Sequence, residues 1–259
     1  MTASEPLVLF EKRDTVLQVS LNRPAVLNAV NSQVLEKLEI GLQANAVDPD
    51  IKVLMLYGRG RCFASGADIE ELAGFDETGI RKFHQLRERT FALLENFPSP
   101  TVAVIHGYAL GTGLELALSC DFRIAAADAR LGVPSAKLGI AESYEYISRL
   151  VRAVGPFRAK KLLLTGERID AVAAFQIGLI EEVVPVDDLF NRAETLAADI
   201  ARNSTQSMVE SKKAVALCVK DPNLLSVPDK AATMIQTMRS ADFREGVTAF
   251  LDKRRARFK

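Results

Sequence analysis

Along this chain the spacing of apolar positions switches repeatedly between two periods. Short β-rich runs at Val16 to Leu21, Val53 to Tyr57, Thr101 to Ile105 and Phe122 to Ala125 alternate with stretches whose apolar residues recur every three or four positions. Val34, Leu35, Leu38 and Leu42 make one such helical stripe, and Ile80, Phe83, Leu86, Phe91 and Leu94 make another, both expected to face a core. The alternation predicts an α/β arrangement up to about residue 190. After Asp187 the strand signal ends, and Leu189 to Lys259 reads as several helices broken near Asn203, Asp221-Pro222 and Ser240. We therefore expect a core over residues 1–190 and a helical region over 191–259 that docks on the core or on a neighbouring subunit. No internal repeat or Pro/Gly/Ser-rich linker separates the two, which predicts that they pack together.

Composition narrows the function classes. A chain of 259 residues, 48% hydrophobic and 25% charged, can bury a full core. Its 33 basic residues balance 33 acidic ones, so no overall field draws it to nucleic acid or to an anionic membrane, and an anionic ligand must be held locally. Cys62, Cys120 and Cys218 are scattered and lack metal spacing, which suits three buried small side chains in a reducing, cytoplasmic setting. Met1 to Glu11 shows no basic segment followed by an apolar run, and no stretch approaches the roughly 20 apolar residues of a membrane span.

Two loops carry the candidate chemistry. His106-Gly107-Tyr108-Ala109-Leu110-Gly111-Thr112-Gly113-Leu114-Glu115-Leu116-Ala117-Leu118-Ser119-Cys120-Asp121 follows an apolar strand and reads as strand, glycine turn, helix. Its glycines allow close backbone approach, and the amides opening the helix can bind an oxyanion. A dinucleotide fingerprint would need glycine where Leu116 stands. Gly60-Arg61-Cys62-Phe63-Ala64-Ser65-Gly66-Ala67-Asp68-Ile69 follows the strand Val53 to Tyr57 and offers a second amide. Two preorganised amides aimed at one carbonyl oxygen stabilise an enolate. Either loop alone would more often be a structural turn; the two together carry the hypothesis.

These two stretches, with Leu21-Asn22-Arg23-Pro24, Leu27-Asn28-Ala29, Leu163-Leu164-Thr165-Gly166-Glu167, Gly178-Leu179-Ile180 and Phe250-Leu251-Asp252-Lys253-Arg254, resemble in order and length the signatures of the crotonase (enoyl-CoA hydratase/isomerase) family. The resemblance spans the chain. It implies a ClpP/crotonase-like α/β spiral of ββα units with a C-terminal helical trimerisation region, assembled as a homotrimer or homohexamer. It also implies that the amides of Ser65 and Thr112 are the oxyanion donors and that Glu115 is a catalytic glutamate, although a glutamate in a first helical turn is ordinarily there for the dipole. The family's second glutamate falls at Ser135, whose hydroxyl can hold a water but cannot act as a carboxylate. Glu142 or Glu145 is the expected relocated proton carrier, with Tyr144 or Tyr146 as a hydrogen-bond donor. The alternative is that both glutamates are solvated helix residues three apart.

By the same resemblance, coenzyme A lies against Arg23, the Ala25, Val26 and Leu27 backbone, the Ala67, Asp68 and Ile69 loop, and Lys253. Apart from the resemblance, the basic run Lys253-Arg254-Arg255 reads as a solvated terminus. His84 and His106 have no metal or triad spacing and no expected role. The implied activity is hydration of 2-enoyl-CoA, with coenzyme A as part of the substrate and no metal or redox cofactor. Rival expectations are a 3-enoyl to 2-enoyl isomerase working with one proton carrier, and an acyl-CoA-binding subunit without activity.

Overall fold

The computed structural model describes residues 5–258, so Met1 to Ser4 of the N-terminal stretch lie outside the described residues. A six-stranded sheet runs through the centre in the order β1 (Val8–Arg13), β2 (Val16–Leu21), β3 (Val53–Gly58), β4 (Thr101–Ile105), β6 (Phe122–Ala126) and β9 (Glu182–Val184). β1 and β2 form an antiparallel hairpin about Asp14, and every later pairing in this sheet is parallel. A smaller sheet holds β5 (Tyr108–Leu110), β7 (Arg130–Gly132) and β8 (Arg168–Asp170). Each turn of the chain adds a strand to the large sheet, then a short extended segment that pairs sideways, then a helix. Isolated parallel bridges Val30↔Ala67 and Ala64↔Ala109 continue the sideways ladder into the early turns. This is the expected spiral.

The central strands β3 and β4 are covered on both faces, which is why they are apolar runs rather than alternations. Adjacent residues point to opposite faces. Leu54 and Leu56 join the larger core with Leu17, Leu21 and the helices α1 (Ser32–Asn45) and α3 (Glu77–Glu95), whereas Val53 and Met55 join the second core. Helix α1 begins where the Asn31 side chain accepts from the Val34 amide at 2.9 Å, and it buries Val34, Leu35, Leu38 and Leu42 as expected. In α3 the Asp76 carboxylate caps the Gly79 amide at 2.7 Å. Phe83, Leu86, Phe91 and Leu94 are buried there, but Ile80 is 56% exposed and does not belong to the core.

The second core rests on α7 (Leu189–Ala201), which lays Leu189, Ala193, Ala197 and Ile200 against Val53, Val102, Val104 and Ile124. The expected division at 190/191 therefore cuts into the first turn of a core helix. The helices that follow, α8 (Thr205–Lys220), α9 (Ala232–Met238) and α10 (Ala241–Leu251), bury only Ala249 and expose Val215, Met234, Ile235, Phe250 and Leu251. Among the cysteines, Cys62 and Cys120 are buried as expected, but Cys218 on α8 is exposed. No described helix is long and apolar enough to cross a membrane.

Candidate active site

Two chain segments leave the ends of the neighbouring parallel strands β3 and β4 and converge on one cavity of about 750 Å³. The first crosses Ala64 to Ala67. Here the amide of Ser65 donates to the Leu27 carbonyl at 3.0 Å and that of Asp68 to Val30 at 2.9 Å. Ser65 is thus not the free oxyanion donor that the resemblance implied, because its N–H is spent on the ladder. Adjacent peptide groups of an extended segment face opposite sides, so with the Asp68 amide directed at Val30 the Ala67 amide faces the other way, where it has no acceptor among the described residues. Gly66, at φ +123, makes the local turn that a side chain would strain.

The second segment is β5 followed by α4 (Thr112–Leu118). Thr112 is the first residue of the helix, so its amide has no intrahelical partner. A Cβ at Gly113 would stand 2.5 Å from the Ala64 carbonyl, which is why only glycine lets the two segments approach. Ala67 and Thr112 both line the cavity, as does Ser65. The carbonyl of Gly111, just before the helix, accepts from the buried Tyr146 hydroxyl at 2.9 Å and from the Glu115 amide at 3.0 Å.

Glu115 points into the protein from the first turn of α4 and is fully buried. Its Oε1 accepts from Arg149 at 3.0 Å, and its Oε2 has no hydrogen bond, with Arg87 Nε 3.4 Å away. Burial pushes its carboxyl up to about 8, against the pull of Arg87 and Arg149. Arg87 lines the cavity and Glu115 does not. Ser135 and Glu142, expected separately, are brought together: the Ser135 hydroxyl donates to Glu142 Oε1, and both line the cavity. Glu142 precedes α5 (Tyr144–Thr165) rather than sitting in a helix, so it shares no helical face with Glu145. Glu145 borders a separate groove with Glu95, Arg149 and Arg152, and Tyr144 is 90% exposed. Of the residues offered as alternatives, Glu142 lines the cavity and Tyr146 stands behind Gly111, whereas Glu145 and Tyr144 do neither.

The remaining expected contacts divide. Ala67 and Ile69 line the cavity, but Asp68 is committed to the fold: its carboxylate accepts from Arg23 at 2.9 Å and caps α2 (Ile69–Ala73). Arg23 also donates to the Ala29 carbonyl at 2.6 Å. Ala25 and Val26 form a short exposed turn that ends at Leu27 in the left-handed region. These three residues and Lys253, just beyond α10, lie outside the cavity lining. Sequence reasoning missed Lys137 and Arg168, which supply positive charge to the lining, and it missed His84 and Arg87. Ile80, Phe83, His84 and Arg87 fall at helical spacing, so two cationisable residues inside an apolar stripe were the available signal. His84, Glu88 and Glu145 could bring donor atoms within 4.8 Å of one another. Glu88, however, is already held by Arg149 at 3.0 Å and by Ser143 at 3.2 Å, which makes it an ion-pair partner rather than a metal ligand.

The chain is similar to known proteins along nearly its whole length. The family model described as enoyl-CoA hydratase/isomerase matches residues 11–259. Crotonyl-CoA hydratase of Syntrophomonas wolfei is 34% identical over 97% of both chains. The 2,3-dehydroadipyl-CoA hydratase of Escherichia coli is 36% identical over 97% of this chain and 98% of its own. The crystal structure of an enoyl-CoA hydratase from Bacillus anthracis superposes with a TM-score of 0.94 at 34% identity, covering 98% of this chain and 99% of that one.

Proposed function

The chain belongs to the enoyl-CoA hydratase/isomerase family, and from that premise we propose that it hydrates 2-enoyl-CoA thioesters at the cavity between β5, α3 and the Ser135–Glu142 segment. The observation that carries this reading is the placement of two unpartnered amides, Ala67 and Thr112, on the same cavity as the carboxylate of Glu142. The thioester oxygen accepts from the two amides. Glu142, steadied by Ser135, takes a proton from water as the resulting hydroxide adds to C3. Negative charge collects on the thioester oxygen, where the amides stabilise it. Glu115, held mainly protonated at neutral pH behind the Arg87 wall of the cavity, supplies the proton for C2 through a water, and the proton taken up by Glu142 passes back to it in the same way, which closes the cycle. Water is thereby added across the double bond with no change of oxidation state overall, and the reaction so written calls for no metal or redox cofactor.

Loss of the conjugated enoyl absorbance of crotonyl-CoA tests this reading, with Glu142→Gln as the control. Turnover abolished by the substitution supports it. Tight binding without turnover would instead favour the inactive acyl-CoA-binding subunit.

A second reading has its own support. Glu142 is the one carboxylate lining the cavity among the described residues, and a single group can remove and return the same proton. That is what a 3-enoyl to 2-enoyl isomerase needs. A 3-enoyl thioester converted to the conjugated isomer without a hydroxylated product would select it.

The exposed apolar side chains of α8 to α10 favour self-association, as a homotrimer or a dimer of trimers. Light scattering of the purified protein distinguishes these from a monomer. Three free thiols suit a reducing, cytoplasmic setting.

A further inference from the structure

We propose that Tyr146 is a positioning residue for the oxyanion site, acting through the Gly111–Thr112 peptide; this rests on the oxyanion reading above. The carbonyl of Gly111 and the amide of Thr112 belong to one planar unit, so whatever fixes the carbonyl also aims the N–H. The Tyr146 hydroxyl donates to that carbonyl at 2.9 Å, and the Glu115 amide donates to it at 3.0 Å. The unit is gripped from two directions while its N–H stays free for a ligand. A donor on the carbonyl also withdraws charge through the peptide and makes the N–H a stronger donor.

The phenol is well placed for this role. Its ring is fully buried, and the Ser143 hydroxyl caps the Tyr146 amide at 3.2 Å, so backbone and ring are both fixed. Burial, with Glu142 and Glu115 nearby, raises its pKa well above the ordinary tyrosine value, so it remains a donor at all working pH values. Glu142 and Tyr146 lie four residues apart. One short segment therefore supplies both the cavity carboxylate and the brace behind the opposite amide.

Tyr146→Phe isolates the hydroxyl. It keeps the ring, and Gly111 retains its bond from Glu115, so no buried carbonyl is orphaned. The probe is a dialkylaminocinnamoyl-CoA thioester, whose absorption moves to the red as its carbonyl is polarised. We expect a red shift on binding to the native protein and a smaller one with Tyr146→Phe. In the same variant kcat for crotonyl-CoA should fall about three- to tenfold with KM and melting temperature nearly unchanged. Placing 3,5-difluorotyrosine at 146, a stronger donor of nearly the same shape, should increase the red shift beyond the native value; it also decides the matter should the phenylalanine variant fail to fold. An unchanged red shift in the difluorotyrosine protein, or in a folded Tyr146→Phe, overturns the proposal. A native protein that binds the probe with no red shift refutes the oxyanion reading itself, and the role of Tyr146 with it.

Discussion

A single nitrogen of Arg149, Nη1, donates to Glu115 Oε1 and to Glu88 Oε2, each at 3.0 Å. Arg149 Nε also reaches Glu95 at 3.2 Å, so one guanidinium from α5 ties α4 to two points on α3. Removing it leaves buried carboxyl groups without their donor. Arg149→Leu should destabilise the fold by about 3–5 kcal/mol, the usual cost of breaking a buried pair by deleting one side. A urea midpoint equal to that of the native protein would show that α3, α4 and α5 do not depend on this tie.

Glu115 makes stability depend on pH in a stated direction. Its carboxyl is raised from 4.5 to about 8, so between those values the folded state holds a proton that the unfolded chain has lost. Stability is then fully present below about pH 4.5 and declines as pH rises towards 8, by at most about 1.4 kcal/mol per pH unit from this group. Glu115→Gln should flatten that decline in chemical unfolding measured from pH 5 to 8. Parallel curves for the two proteins would mean that Glu115 titrates at its ordinary value.

The same proton governs rate. If Glu115 protonates C2, kcat/KM for hydration falls as pH passes about 8, and Glu115→Gln lowers kcat roughly a hundredfold to ten-thousandfold. Activity that rises through this range would assign Glu115 as the base instead.

Thr112 offers a test of a main-chain donor by substitution. Proline is tolerated in the first position of a helix and removes only the N–H. Thr112→Pro should lower kcat about a hundredfold to a thousandfold, whereas Thr112→Ala, which keeps the amide, stays near the native rate. Equal rates in the two variants, both folded by circular dichroism, would remove Thr112 from the oxyanion site.

Ser135 and Glu142 should separate by magnitude. Glu142→Gln removes the proton acceptor and costs roughly a hundredfold or more in kcat. Ser135→Ala removes one hydrogen bond, worth about 0.5–1.5 kcal/mol, and should cost about tenfold or less. A larger loss from Ser135→Ala than from Glu142→Gln would make the serine, not the glutamate, the group that holds the water.

Much of this architecture is legible in the sequence, and the failures have physical causes. Parallel strands covered on both faces must be apolar throughout, so the runs at 53–58 and 101–105 stand out. The stripe of α1 is legible because every member faces the core. Ile80 in α3 misleads because an apolar residue looks the same whether it faces a core or a cavity for an acyl chain. The exchange of Ser65 for Ala67 turns on which peptide group faces Leu27 and Val30, a register set by residues more than thirty positions away. Arg149 and Glu88 belong to different helices, and their burial makes sense only as a pair. The 190/191 division falls inside α7 because the stripe of that helix shows it to be amphipathic without showing which surface it covers.

The two segments that carry Ala67 and Thr112 leave strands that are direct neighbours and run the same way. Adjacent strands stand about 4.8 Å apart wherever they occur, because the backbone hydrogen bond sets that interval. The sheet thus serves as a ruler that sets the spacing of the oxygen-binding groups by main-chain bonds, and leaves to Tyr146 only the aim of one of them. Residues such as Ile80 and Leu138 line the cavity without fixing the ruler, so they are free to change with whatever group the cavity takes. Grip on the thioester and choice of carbon chain can therefore be inherited separately.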